Sequence, residues 1–202
     1  MSVSIESWHV VSRRSTTEYR KLTGNRLFVA DVAGDDADKA QLWASNSYWM
    51  VPAYRVAPLL SHYNLELEVG RFEVNGSVAR QGGDAPNMAA LLPDVDALHD
   101  VVPAMVAGKA AYVRNPATVY ERKAGYLAIF EAAGEADRVS PTVTAVNVDY
   151  LDFIVDGRDG IVFRQESPLK PLCVYVRDVI RNAGKPDDVI DSLAGLVIPV
   201  KL

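Results

Sequence analysis

The sequence predicts an α+β, strand-rich fold: two domains of antiparallel sheet with few short helices. Three observations carry that expectation. Leu65-Glu66-Leu67-Glu68-Val69 alternates apolar and acidic residues, which gives a strand one buried and one wet face. Asn75-Gly76 lies between two strand-like runs and is the strongest short hairpin signal in the chain. Only residues 148–155 combine the cap, apolar face and stop of a convincing helix.

Taken in order, residues 7–12 (Ser-Trp-His-Val-Val-Ser) are rich in aromatic and β-branched side chains and predict a strand. Residues 26–32 predict a second, and 41–45 its return, with the acidic run 34–39 as the turn between them. Residues 71–75 and 77–80 form the hairpin around Asn75-Gly76. Proline and glycine then become dense over 81–108, which predicts a boundary between domains 1–90 and 91–202.

The second domain restarts with a strand at 111–114. Residues 118–123 and 126–130 read as a hairpin around Ala124-Gly125. A single helix over 117–133 competes with it, but would hold Gly125 in its middle and many β-branched and aromatic residues at its flanks. A strand at 142–146 leads to Asn147, placed to cap a helix with Asp149 in its first turn. Leu151, Ile154 and Val155 share one face of that helix, and Gly157 stops it. Strands follow at 160–164 and 172–176. Pro186-Asp187-Asp188 predicts a short helix start, and 196–200 the closing strand. An apolar ending, Val197-Ile198-Pro199-Val200-Lys201-Leu202, predicts a tail folded home, since chain ends are usually polar and frayed. The expected resting place is the Trp-rich bend near Tyr48.

The 202 residues are 49% hydrophobic and 23% charged, an ordinary globular balance. No apolar run reaches the roughly 18 residues of a membrane span, and residues 1–8 lack the pattern of a signal peptide, so a cytoplasmic location is expected. A net charge of −5 argues against nucleic-acid binding by bulk charge, though not against a basic strip. Cys173, between Leu172 and Val174, is the single cysteine and reads as a buried thiol.

No catalytic signature stands out. His9, His62 and His99 are scattered and form no zinc pattern. Asp35, Asp36 and Asp38 lack the later glutamate of a calcium loop. Gly82-Gly83 is followed by no phosphate-loop lysine. Asp94/Asp96 and Asp187/Asp188 suit caps or surface turns. The expectation is a protein that is not an enzyme and needs no cofactor or metal.

Residues 146–153 (Val-Asn-Val-Asp-Tyr-Leu-Asp-Phe), the flanking strands around Ser167-Pro168, and the ending Val-Ile-Pro-Val-Lys-Leu together resemble the last domain of the bacterial β-type DNA polymerase sliding clamp. That family ends on a hydrophobic-Met-Pro-hydrophobic-Arg-Leu strand. Upstream, residues 42–50 (Leu-Trp-Ala-Ser-Asn-Ser-Tyr-Trp-Met) are similar to the family's Ala-Thr-Asp-Gly-x-Arg-Leu turn. Leu92-Pro93-Asp94 and Val102-Pro103 are similar to its interdomain Phe-Pro-Asp…Val-Leu-Pro. The chain is much shorter than a three-domain clamp, and Asn46-Ser47-Tyr48-Trp49 replaces the core of the turn. Asp149, Asp152 and Asp156 make the helix acidic where duplex DNA favours Lys and Arg.

The resemblance implies a non-catalytic processivity factor that tethers DNA polymerase or other replication proteins to non-specific double-stranded DNA. It implies a homo-oligomer, three two-domain chains making the family's six-domain ring. It further implies a pocket for short apolar partner peptides, with Ser45, Tyr48 and Met50 on one wall and Leu196, Ile198, Pro199 and Val200 on the other. The residues expected to face DNA are Arg122, Lys123, Arg177, Arg181 and Lys185. The alternative is a strand-rich, phage-type interaction or structural protein that binds a protein partner without encircling DNA.

Overall fold

The structure, a computed structural model, describes residues 27–32, 41–57, 70–75, 78–81, 88–106, 109–110, 112–114, 126–133, 143–182, 184 and 187–200. The expected strands at 7–12, 65–69 and 118–123 and the turn at 34–39 lie outside them. The fold is α+β and strand-rich, with antiparallel pairing throughout the described ladders and short helical elements. No helix among the described residues is long and apolar enough to cross a membrane. Contacts divide the chain into two units, Met1–Leu92 and Pro93–Leu202.

In the first unit, β1 (Leu27–Val32) pairs with β2 (Gln41–Ser45) and with β4 (Gly70–Asn75). Strand β2 also pairs with β3 (Trp49–Pro52), placing Ser45 opposite Met50. Strand β4 pairs with β5 (Val78–Gln81), with Asn75 opposite Val78, so the hairpin turns where Asn75-Gly76 predicts. All of β3 is buried, and Val29, Trp43 and Ala44 join it in the core.

In the second unit, β6 (His99–Pro103) pairs with β10 (Tyr126–Ala132) on one side and β12 (Ile161–Gln165) on the other. The short hairpin of β7 (Met105–Val106) and β8 (Lys109–Ala110) follows β6, and β9 (Tyr112–Arg114) pairs with β10. Strand β10 pairs with β11 (Val143–Asn147), β12 with β13 (Leu172–Ile180), and β13 with β14 (Asp188–Val197). The strand over Tyr126–Ala132 overturns the helix considered there, and its first residues pair with Tyr112–Arg114 on one side and β11 on the other rather than with 118–123 across a tight turn. Cross-strand partners on both sides outweigh any helical preference of this segment.

Three expectations are corrected. His99–Pro103 is a strand in the middle of the sheet, not part of a linker; Pro103 sits at its last position, where the missing N–H costs least. Residues 188–190 do not belong to a helix but open a strand. Val189 and Ile190 are β-branched, and Asp188–Val197 runs alongside β13 over nearly its whole length. Arg177–Ile180 and Asp188–Asp191 are thus paired along the outer half of the β13–β14 ladder. The closing strand stops at Val197, and residues 198–200 leave the sheet.

The sole described α-helix, α1 (Val148–Val155), starts where Asn147 accepts hydrogen bonds from the backbone N–H groups of Asp149 (2.8 Å) and Tyr150 (3.4 Å). Asp156 ends it in a left-handed conformation (φ 50°), and Gly157 continues the turn at φ 66°. Leu151, Phe153 and Ile154 are buried and Val155 is half-buried.

The second unit's sheet is coiled, and its own bonds prove it. The strand order is β11-β10-β6-β12-β13-β14. Laid flat, β11 and β14 would stand five spacings apart, about 24 Å. Yet the N–H of Val200, three residues past β14, donates to the Ala145 carbonyl of β11 at 2.8 Å. Three residues reach only about 11 Å, and the bond adds about one strand width, about 5 Å. The two ends of the sheet have therefore curled toward each other. Helix α1 packs on β10, β11 and β14, beside the seam.

Candidate functional site

Coiling makes a concave face from alternate residues of neighbouring strands. Register places Phe163 opposite Val101, Gln165 opposite His99, and Phe130 opposite both Pro103 and Thr144. Rings of Phe130 and Phe163 meet edge to face at 4.8 Å although β6 lies between their strands. The Thr144 hydroxyl donates to Gln165 Oε1 at 2.6 Å across two intervening strands. Gln165 Nε2 donates in turn to the Lys170 carbonyl at 2.6 Å, which ties the turn after β12 to the coiled sheet. Both side chains are almost fully buried, so each polar group needs the partner it has.

At the open end of this face lies a cavity of about 180 Å³ lined by His99, Val101, Phe130, Glu131, Ala132, Thr144, Gln165, Glu166, Ser167 and Pro168. Glu166 is held at the rim: its Oε1 accepts from the Asp94 N–H at 2.9 Å, and its Oε2 lies 3.6 Å from Lys170 Nζ. Asp94 also accepts from the Asp96 N–H at 3.2 Å, which caps the 3-10 turn Val95–Ala97.

The opposite face of β6, β12, β13 and β14 carries a charge ladder. Arg164 donates to Asp100 (3.0 Å) and Asp191 (2.6 Å), and Arg177 donates to both Asp191 oxygens (2.8 and 2.9 Å). Arg164 also lies 5.1 Å from the centre of the Tyr175 ring. The bond to Asp100 is the chief cause holding the Arg164 guanidinium above its ordinary pKa, and Arg177 is the chief cause holding Asp191 below the carboxylate range. Burial pushes the Cys173 thiol and the Tyr175 hydroxyl up to about 12 each. Cys173 is thus the inert buried thiol its neighbours predict.

The residues expected to form a peptide pocket have these places. Ser45 and Met50 are buried in the first unit. The Ser45 hydroxyl donates to the Trp49 carbonyl at 2.7 Å and accepts from the Ser47 N–H at 3.0 Å. Asn46 Oδ1 accepts from the N–H groups of Tyr48 (2.8 Å) and Trp49 (3.1 Å), so the bend is built by side chains, with Ser47 at φ 77°. Tyr48 is exposed. Leu196 is fully buried, while Ile198, Pro199 and Val200 are half-buried. Val200 packs on Leu127, Ile129 and Ala145, a core of the second unit.

Of the residues expected to face DNA, Arg122, Lys123 and Lys185 lie outside the described residues. Arg181 is exposed, and Arg177 is exposed but chelated by Asp191. Asp149 and Asp152 occupy the exposed side of α1. Of the other acidic and histidine candidates, Asp188 accepts from the Asn182 side chain at 2.8 Å, and His99 lines the cavity. Among the described residues, no group of three or more His, Cys, Asp or Glu is placed to hold a metal ion. The cavity itself was invisible to sequence reasoning, because its lining comes from segments that only coiling brings together.

No protein-family model matches this chain, and no curated protein matches it.

Proposed function

We propose that this chain is a non-catalytic tether of the sliding-clamp kind, holding replication proteins on duplex DNA. One observation supports the reading. Strand β11, the Asn147-capped α1, the antiparallel run β12-β13-β14 and a tail that folds back on β11 follow one another. Apart from the fold-back of the tail on β11, that is the order the resemblance implies for a clamp's last domain. In this reading the tail and the bend at Asn46–Tyr48 serve partner peptides, and no reaction is assigned to any side chain.

The acidic exposed side of α1 favours a second reading, an interaction protein that binds a partner without DNA. Retention on a plasmid separates the two. The chain is mixed with circular plasmid at low salt and gel-filtered, and the plasmid is then cut once. Tethering predicts co-elution with the circle and release on cutting. Failure to co-elute, or equal retention on both forms, contradicts it.

A further inference from the structure

We propose that the outer part of β13 is a self-pairing edge: residues 177–182 of two copies of this chain join as antiparallel strands centred on Ile180. The contact is independent of the tethering reading, and every residue in it belongs to the second unit. It joins copies two at a time, in addition to any larger particle the chain forms.

Strand β13 outruns β12. Their ladder ends with Ile161 opposite Val176, and just beyond it the Arg177 N–H donates to the Gly160 carbonyl at 2.8 Å. On its other side β13 stays paired with β14 as far as Ile180 opposite Asp188. Backbone groups of successive residues point to alternate edges of a strand. The N–H and C=O of Val179 therefore point the same way as those of Arg177, to a side where, among the described residues, no strand stands. Open edges are commonly blunted by lysine, proline or a bulge. Arg177–Ile180 contains neither residue, and its register against β14 is unbroken.

The side chains along this edge form a cluster. Val179 and Val189, directly opposite each other, are both exposed on one face. Ile180 and Ile190, diagonal neighbours, are both exposed on the other. Four exposed β-branched apolar residues on two adjacent strand ends suit an extended sheet, not a solvated tip.

Charge selects the occupant and the register. Bonds are exchanged only between residues whose backbone groups face the shared edge, so a two-fold pairing is centred on one residue. Centring on Asp178 sets Asp178 against its own copy. Centring on Val179 sets Arg177 against Arg181, and centring on Arg181 sets two Arg181 side chains together. Like charges directly opposite are destabilising. Centring on Ile180 opposes Ile180 to Ile180, Val179 to Arg181 and Asp178 to Asn182, with no like charges face to face. Val179 and Arg181 then exchange both backbone bonds at each end of the contact. In that register the segment is its own complement, which points to a second copy of this chain. Such short strands bury far less than the ~1,200 Å² of a stable specific interface, so a dissociation constant of about 0.1–1 mM is expected. At tens of micromolar the contact leaves the particle mass nearly unchanged.

The test is disulfide trapping of the whole chain at about 0.5 mM under mild oxidation, read on a non-reducing denaturing gel. Cys173 is buried and stays out of the reaction. Ile180→Cys should give a two-chain band, because opposed residues without mutual bonds stand about 4.5 Å apart at Cα, within disulfide reach. Val179→Cys should not, because its two copies would stand about 8 Å apart, beyond the ~7 Å limit. Mixed with Arg181→Cys, it should cross-link. A second readout needs no cysteine. Exchange of the Val179 amide in the unaltered chain should slow about two- to threefold between about 0.05 and 1 mM chain. Ile180→Lys should abolish that slowing, since it opposes two lysines. No two-chain band with Ile180→Cys, an equal band with Val179→Cys alone, or Val179 exchange independent of concentration overturns the self-pairing.

Discussion

Val200 donates its backbone N–H to the carbonyl of Ala145 at 2.8 Å, and this bond joins the two ends of a coiled sheet. Among the described residues β11 pairs with no strand on that side, and open edges are places where foreign strands add. The tail covers the edge and buries Val200 on Leu127, Ile129 and Ala145. Removing residues 198–202 should cost about 2–3 kcal/mol from lost apolar burial, which lowers the melting temperature by roughly 5–10 °C. Calorimetry of the shortened chain checks this; an unchanged melting temperature would show that the tail closes nothing.

Two glycines near α1 give a matched pair. Both have left-handed backbones, Gly157 at φ 66° and Gly160 at φ 68°. An added Cβ at Gly157 meets nothing within 4 Å, whereas at Gly160 it would stand 2.7 Å from the Arg177 carbonyl oxygen. Gly157→Ala should cost about 1 kcal/mol, the conformational penalty alone. Gly160→Ala adds a clash with backbone that cannot turn aside, and should cost at least about 2–3 kcal/mol. Urea titrations of both variants decide; equal losses would mean that β13 yields.

Asp191 predicts an acid limb. Its folded pKa is depressed, chiefly by Arg177, from an ordinary value of 3.8. The ionised form is thus favoured by folding. Its contribution is fully present above pH 3.8 and is lost as pH falls through the lower folded value. Asp191→Asn should lower the urea midpoint at pH 7 by more than at pH 2.5. A gap of constant size across that range would remove the ladder from the stability account.

Cys173 should resist a thiol reagent at pH 8 in the folded chain and react fully once unfolded. Its pKa, pushed from 9.0 to about 12 by burial, leaves little thiolate, and its side chain is covered. The neutral thiol is favoured by folding, so this contribution holds below pH 9.0 and fades as pH rises toward about 12. Rapid native labelling would show that β13 opens locally.

Much of this fold can be read from local signals. The hairpin at Asn75-Gly76, the strands at β1, β2, β10 and β11, and the Asn147 cap each depend on a few adjacent residues, and each appears in the structure. What escapes the sequence depends on distant partners. His99–Pro103 looks like a linker because prolines flank it, and becomes a strand because β10 and β12 satisfy its backbone. Pro186-Asp187-Asp188 imitates a helix start, but β13 supplies a long ladder that no local signal announces. Thr144 and Gln165 bond only because the sheet coils, and Arg164 meets Asp100 from 64 residues away. The cavity at the mouth is made wholly of such pairings.

The tethering reading stands or falls on how many chains assemble. Light scattering across a size-exclusion peak, at several concentrations up to tens of micromolar, measures this directly. The account predicts a particle of three copies of the 202-residue chain. A single-copy mass at every concentration would contradict it.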